Sequence, residues 1–146
     1  MIFAVTRANT IASLAIRARL WEPWSHALVV EGDWAIDSTF KLGGVRRRNL
    51  GQATHGATAI DWVLAPLPME SRAREWLYGQ VGRDYDWRPI LGWVGGGRDW
   101  RDPYAWFCFE LVAGMIEAGS DYRFVDTERV TGVDLLRAGA ALRGEL

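Results

Sequence analysis

The chain is short of the residues that build many familiar sites. It has one cysteine, Cys108, and two histidines, His26 and His55. One cysteine excludes an internal disulfide, and with only two histidines it excludes the usual Cys/His zinc patterns, so no metal or cofactor is expected. Lysine is reduced to Lys41, and arginine carries almost all of the positive charge, a bias associated with GC-rich bacterial or phage genomes. A net charge of -1 leaves no cationic excess for general nucleic-acid binding. Long apolar runs are missing too. Arg7, Arg17 and Arg19 interrupt the stretch Met1 to Leu20, so no export signal is expected there, and no later segment approaches a membrane span. The expectation is a protein that is cytoplasmic as synthesised.

Apolar and aromatic residues are plentiful. At 146 residues, with 49% hydrophobic and 12% aromatic, the chain suits one domain, 1–146, with a substantial core. Its nine tryptophans are expected mostly inside that core.

Along the chain, Ile2–Thr6 has the character of a strand. Asn9 or Thr10 then caps a helix whose Ile11, Leu14, Ala15 and Ala18 form one apolar face, ending before Pro23. Trp24–Val30 and Ala35–Phe40 are β-rich runs around Gly32 and Asp33, which predicts a hairpin. With those two as loop residues, Leu28 faces Asp37 and His26 faces Thr39, making His26 and Asp37 diagonal neighbours on one face. Lys41–Val45 is a turn into a further strand, in which Arg46, Arg47 and Arg48 suit a solvated face. Ala59–Leu64 predicts a half-buried strand with Ile60, Trp62 and Leu64 on its inner side. Ala73, Trp76, Leu77 and Gln80 share a helical stripe that Gly82 stops. Gly95, Gly96 and Gly97 lack the residues of a phosphate loop and suit a flexible rim. Beyond Tyr122 a strand or turn and a short helix around Asp134–Ala138 are expected.

Cys108 begins a segment whose Leu111, Val112, Met115 and Ile116 recur at helical spacing until Gly119. A cysteine at a helix start meets unpaired backbone N–H groups and the positive end of the dipole, which favour a thiolate nucleophile. A lone cysteine taken by itself is better explained as a small buried apolar residue, so its neighbours decide. His26 is placed to act as general base and acid, and Asp37 to hold the second ring nitrogen. His55, in a Gly/Thr-rich stretch, suits an exposed loop and is the reserve candidate. Trp24, Trp87, Trp93 and Trp106 flank these positions in sequence and suit a groove wall.

Taken in order, the chain offers Ser25-His26 on a strand, Asp37, a Gly44-Val45 turn, Gly82-x-x-Tyr85-Asp86-Trp87, and Phe107-Cys108-x-Glu110-Leu111-Val112. This set resembles the circularly permuted branch of the NlpC-type papain-like cysteine peptidases and amidases. That branch includes the YiiX-like hydrolases and is related to the lecithin retinol acyltransferase group. The resemblance spans roughly Ile2 to Leu136. It implies an α+β papain-like fold with an antiparallel sheet packed against helices, the His strand preceding the Cys helix. It also implies a Cys108-His26-Asp37 site, with Tyr85 adding an oxyanion donor beside the Cys108 N–H, and no cofactor. Glu110 matches a glutamate of the family. The implied substrate is an amide bond, foremost in the peptide part of bacterial peptidoglycan. Two alternatives stay open: an acyltransferase or lipid-directed thioester enzyme, and a phage tail or assembly component that retains the fold and is carried on the virion. Phe109 departs from the serine usual after the nucleophile and is expected to reshape the pocket beside it. Gly132 stands where relatives often have proline.

Overall fold

The protein was examined as a computed structural model that describes residues 1–86 and 105–145. Trp87, Trp93 and the triple glycine at 95–97 lie outside the described residues.

The described chain is α+β. Its elements are β1 (Ile2–Ala8), α1 (Ile11–Leu20), β2 (His26–Glu31), β3 (Trp34–Thr39), β4 (Gly44–Asn49), α2 (Leu50–Ala53), β5 (Ala57–Leu64), α3 (Glu70–Gln80), β6 (Asp84–Tyr85), β7 (Ala105–Trp106), α4 (Cys108–Gly119) and α5 (Gly132–Leu142). Strands β1 to β5 form one antiparallel sheet in the order β4-β3-β2-β1-β5, and β6 and β7 form a short parallel pair. The β2–β3 hairpin has the expected register, with Glu31 opposite Trp34 and Val29 opposite Ile36. Gly32 takes a φ of 57° at the first loop position, a backbone region where a side chain would be strained.

Strand alternation divides the sheet into two faces. Phe3, Val5, Ala27, Val29, Ile36, Val45 and Val63 point inward. Against them lie Leu111, Val112, Met115 and Ile116 of α4, all fully buried, and Leu135 and Ala138 of α5. Burying each large side chain is worth about 1.5–3 kcal/mol, so α4 is the helix the core is built on. Its packing against α3 depends on a missing side chain: a Cβ at Gly114 would lie 2.4 Å from the Trp76 indole. The opposite face buries a smaller apolar cluster of Ala4, Leu28 and Ala35, partly covered by Leu50 and Ala53 of α2, beside the buried Asp37.

Several expectations need correction. On β5 only Val63 is buried; Trp62 and Leu64 are exposed, so the inner side is the reverse of the one expected. Val63 faces the main core, packed at Gly139 of α5, while on the other face Ile60 alone is partly covered, against the small cluster of Ala4, Leu28 and Ala35. On α1 the expected apolar face is also turned out. Ser13 is its buried residue and Ile16 and Leu20 pack on the core, while Ile11 and Leu14 are exposed. Of the described tryptophans, Trp21, Trp34 and Trp62 are exposed and Trp24, Trp76 and Trp106 half-buried, so none lies fully within the core. Of the strand or turn expected in the tail, the turn is present, as 3-10 helix at Thr127–Arg129, and α5 is longer than expected.

Gly132 has a physical account. Its N–H donates to the Glu22 carboxylate at 2.9 Å, joined by the Val133 N–H at 3.0 Å. A proline would lose the first of these donors, and a Cβ there already meets Trp24 at 2.7 Å. Among the described residues no helix is long and apolar enough to cross a membrane.

Candidate active site

Cys108 is the first residue of α4, with Phe107 in extended conformation as its N-cap. The helix leaves its first N–H groups without intrahelical partners, that of Cys108 among them. Glu110 accepts the Phe107 N–H at 3.3 Å and so ties off the helix start. The strand leading in is fixed from several sides: the Ser38 hydroxyl donates to the Trp106 carbonyl at 2.6 Å, the Asp86 N–H reaches the same carbonyl at 3.2 Å, and the Trp106 indole N–H donates to Gln80 at 3.0 Å.

His26 opens β2, and its Nε2 lies 2.7 Å from Asp37 Oδ2. The diagonal pairing expected from the hairpin is therefore present. Its other ring nitrogen is left free of Asp37, and Cys108 lies close enough for its charge to act on the imidazole. By alternation, His26 and Asp37 share the sheet face of Leu28 and Ala35, which turns away from α4. Imidazole and sulfur consequently meet at the end of the sheet, where β2 starts, rather than across its middle. The arrangement is enclosed: Cys108 is 1% exposed, Asp37 fully buried, and the His26 side chain 20% exposed.

Asp37 has a second partner that the sequence did not reveal. Arg48 grips its carboxylate in bidentate fashion, Nε to Oδ1 at 3.1 Å and a terminal nitrogen to Oδ2, and also donates to the Gln52 carbonyl of α2 at 3.2 Å. Arg48 stands opposite the small Ala35 on β3, and Arg46 opposite Asp37. Arg48 thus reaches Asp37 across the diagonal, over an alanine that leaves room. The solvated arginine run expected at 46–48 is corrected for this member. The pairing of β3 with β4 was the missing signal, because no local spacing indicates which of three adjacent arginines turns inward.

Charges follow from this geometry. Burial disfavours a charged imidazole, but the negative charge of Cys108 and the Asp37 carboxylate outweigh it and push His26 up from 6.5 to about 10. Burial alone would raise the Asp37 carboxyl, yet the bonds from His26 and Arg48 hold it below the usual carboxylate range. A raised imidazole beside a carboxylate held low keeps His26 protonated near neutrality and Asp37 ionised there.

Tyr85 lies beside them on β6, its ring in edge contact with Phe40 at 6.0 Å and Phe107 at 6.1 Å. Burial and the charges of Cys108, Asp86 and Glu110 push its hydroxyl well above its ordinary value, so it keeps its proton. Gly44 allows this placement. With φ at 138°, a Cβ there would fall 2.0 Å from the Arg83 carbonyl, to which the Val45 N–H donates at 2.9 Å. Phe109 is fully buried and stacks edge-on against Phe107 at 5.5 Å, so it fills the core instead of forming an open pocket wall. His55 is exposed in the turn before β5. Among the described residues no group of three or more His, Cys, Asp or Glu side chains is gathered as a metal would require.

In comparisons with known proteins, no family model and no curated protein matches this chain.

Proposed function

We propose that the chain is a permuted papain-like cysteine hydrolase that cleaves amide bonds through Cys108, His26 and Asp37. One arrangement carries this reading: a single imidazole bonds a buried, arginine-clamped carboxylate, and the cysteine at the start of the central helix lies close enough for its charge to act on that imidazole. The order of elements agrees, since the histidine strand precedes the cysteine helix.

The chemistry is that of a Cys-His pair. The sulfur attacks the carbonyl carbon, forming a C–S bond and a tetrahedral oxyanion. The Cys108 N–H and the Tyr85 hydroxyl are the donors available to that oxyanion. As the intermediate collapses, the C–N bond breaks and His26 delivers its proton to the leaving amine. Water, deprotonated by His26, then attacks the thioester; the acid departs and the sulfur regains its starting state. Asp37 fixes the ring and stabilises the imidazolium, and Arg48 fixes Asp37. In acyl transfer the same thioester would pass to an acceptor other than water. The non-catalytic alternative drew its motivation from the expected lack of an export signal and from Phe109; the burial of that ring in the core bears on the second alone.

The proposed substrate is the peptide part of bacterial peptidoglycan. Purified peptidoglycan incubated with wild-type protein should yield new peptide ends by mass spectrometry, and Cys108→Ala should yield none. Equal products from both proteins, or none from either, would remove that substrate. Failure of Cys108 to form a thioester with any activated acyl donor would remove the hydrolase itself.

A further inference from the structure

Two adjacent residues of β3 hold the two halves of the proposed Cys–His pair. Consecutive side chains on a strand point to opposite faces. Asp37 turns to the face of Ala35 and bonds His26 Nε2 at 2.7 Å. Ser38 turns to the face of Ile36, against which α4 packs, and its hydroxyl donates to the Trp106 carbonyl at 2.6 Å. That carbonyl lies two residues before Cys108. Asp37 and Ser38 are both fully buried, so neither bond is shared with bulk water. The imidazole and the sulfur come from opposite ends of the chain, yet both are referred to one rigid peptide unit of one strand. His26 is held through the Asp37 carboxylate and Cys108 through the Ser38 hydroxyl.

The other ties on the cysteine segment run differently. The Asp86 N–H reaches the Trp106 carbonyl at 3.2 Å, and Gln80 accepts the Trp106 indole N–H at 3.0 Å. Neither residue belongs to the five-stranded sheet that carries His26. Their segment joins that sheet through the bonds of Gly82 and Arg83 to Val45 of β4, each 2.9 Å, and so relates sulfur to imidazole by a longer path. We propose that Ser38 is a positioning residue, whose bond to the Trp106 carbonyl sets the placement of Cys108 relative to His26. The proposal rests on the hydrolase reading and adds a residue that this reading does not use. With the bond lost, the start of α4 can shift from the end of the sheet, and the attraction between imidazolium and thiolate weakens with distance. A substitution at Ser38 leaves every ionisable group around the pair in place: His26 on β2, Asp37 on β3, Arg48 on β4, Tyr85 and Asp86 at β6, and Glu110 on α4. A change in the ionisation of Cys108 therefore reads its placement.

The test is a pH titration of the Cys108 thiolate by its ultraviolet absorbance, with Cys108→Ala in the same background subtracted, for the wild-type chain, Ser38→Ala and Ser120→Ala. Ser120 is a second buried serine, whose hydroxyl donates to the Ile116 carbonyl at 2.8 Å at the far end of α4, and it serves as the control. The wild-type thiolate is expected to form well below the free-cysteine value of about 8.5. Ser38→Ala should move the midpoint up by about one unit, an about tenfold loss in the ionisation equilibrium, and Ser120→Ala should leave it in place. Equal midpoints in wild type and Ser38→Ala overturn the proposal and leave the hydrolase reading standing, as does an equal rise in both serine variants. A wild-type midpoint at the free-cysteine value removes the activated pair, and the proposal falls with it. Should Ser38→Ala fail to fold, Ser38→Thr and Ser38→Val repeat the comparison, since they match in volume and differ in the hydroxyl. The first should keep the lower midpoint and the second lose it, and equal midpoints overturn the proposal.

Discussion

Helices α1 and α4 carry similar apolar spacing in sequence and end in opposite environments. In α4 the stripe of Leu111, Val112, Met115 and Ile116 is wholly buried between the sheet and α3. In α1 the stripe of Ile11, Leu14 and Ala18 faces outward, and a serine occupies the buried position. The difference lies in the second face. Nearly every side of α4 is apolar, so any orientation buries hydrophobic surface. Helix α1 also has Ile16 and Leu20, and the Ser13–Ser25 contact tips the balance toward burying those. Periodicity identifies a helix and a face; it does not choose between two apolar faces on one helix.

The strongest test of this contrast is catalytic. Cys108→Ala at the start of α4 should lower turnover about a thousandfold or more, whereas Ile11→Ser on α1 should leave turnover of a soluble substrate unchanged. Stability should divide the same way. Leu111→Ala is expected to cost about 2–5 kcal/mol in denaturant unfolding, against no more than about 0.5 kcal/mol for Leu14→Ala. Equal costs would show that the outer face of α1 is covered.

The buried charges on the sheet give a smaller, pH-dependent effect. Arg48→Gln removes a bidentate partner from Asp37 and should cost about 1.5–3 kcal/mol. It should also shift the acid limb of the pH–activity profile upward, because Arg48 helps hold the Asp37 carboxyl low. An unchanged acid limb would show Arg48 to be structural only. For His26 the folded state binds the proton more tightly than the unfolded chain. Its contribution is thus complete below about 6.5 and is lost as pH rises toward about 10. Asp37 contributes in the opposite sense, fully above 3.8 and decreasingly as pH falls through its depressed value. Wild-type urea midpoints should therefore fall between pH 6.5 and 10, and His26→Gln should flatten that fall. Parallel curves for the two proteins would assign the titration to another group.

Much of the candidate site was legible because it rests on local rules. The helix start at Cys108 follows from apolar spacing, and the His26–Asp37 contact follows from a two-residue hairpin loop that sets register by counting. Arg48 was not legible, since its inward turn depends on which strand pairs with β3 and on the small Ala35 opposite. Phe109 misled because it was weighed as a neighbour of the nucleophile, whereas adjacent residues on a helix point in different directions and this one points into the core. Trp62 and Leu64 misled because a strand of uniform hydrophobicity does not declare its inner face; contact with α5 decided it.

The sequence by itself determined most of the longer helices and strands, the hairpin register, and the pairing of one histidine with one aspartate, all of which are set by interactions among residues close along the chain. Tertiary structure alone decided which faces of α1 and β5 are buried, which of three arginines clamps the aspartate, and that the imidazole meets the cysteine at the end of the sheet. Those outcomes depend on competition for a finite core volume between segments far apart in sequence, and no local pattern records the result of that competition.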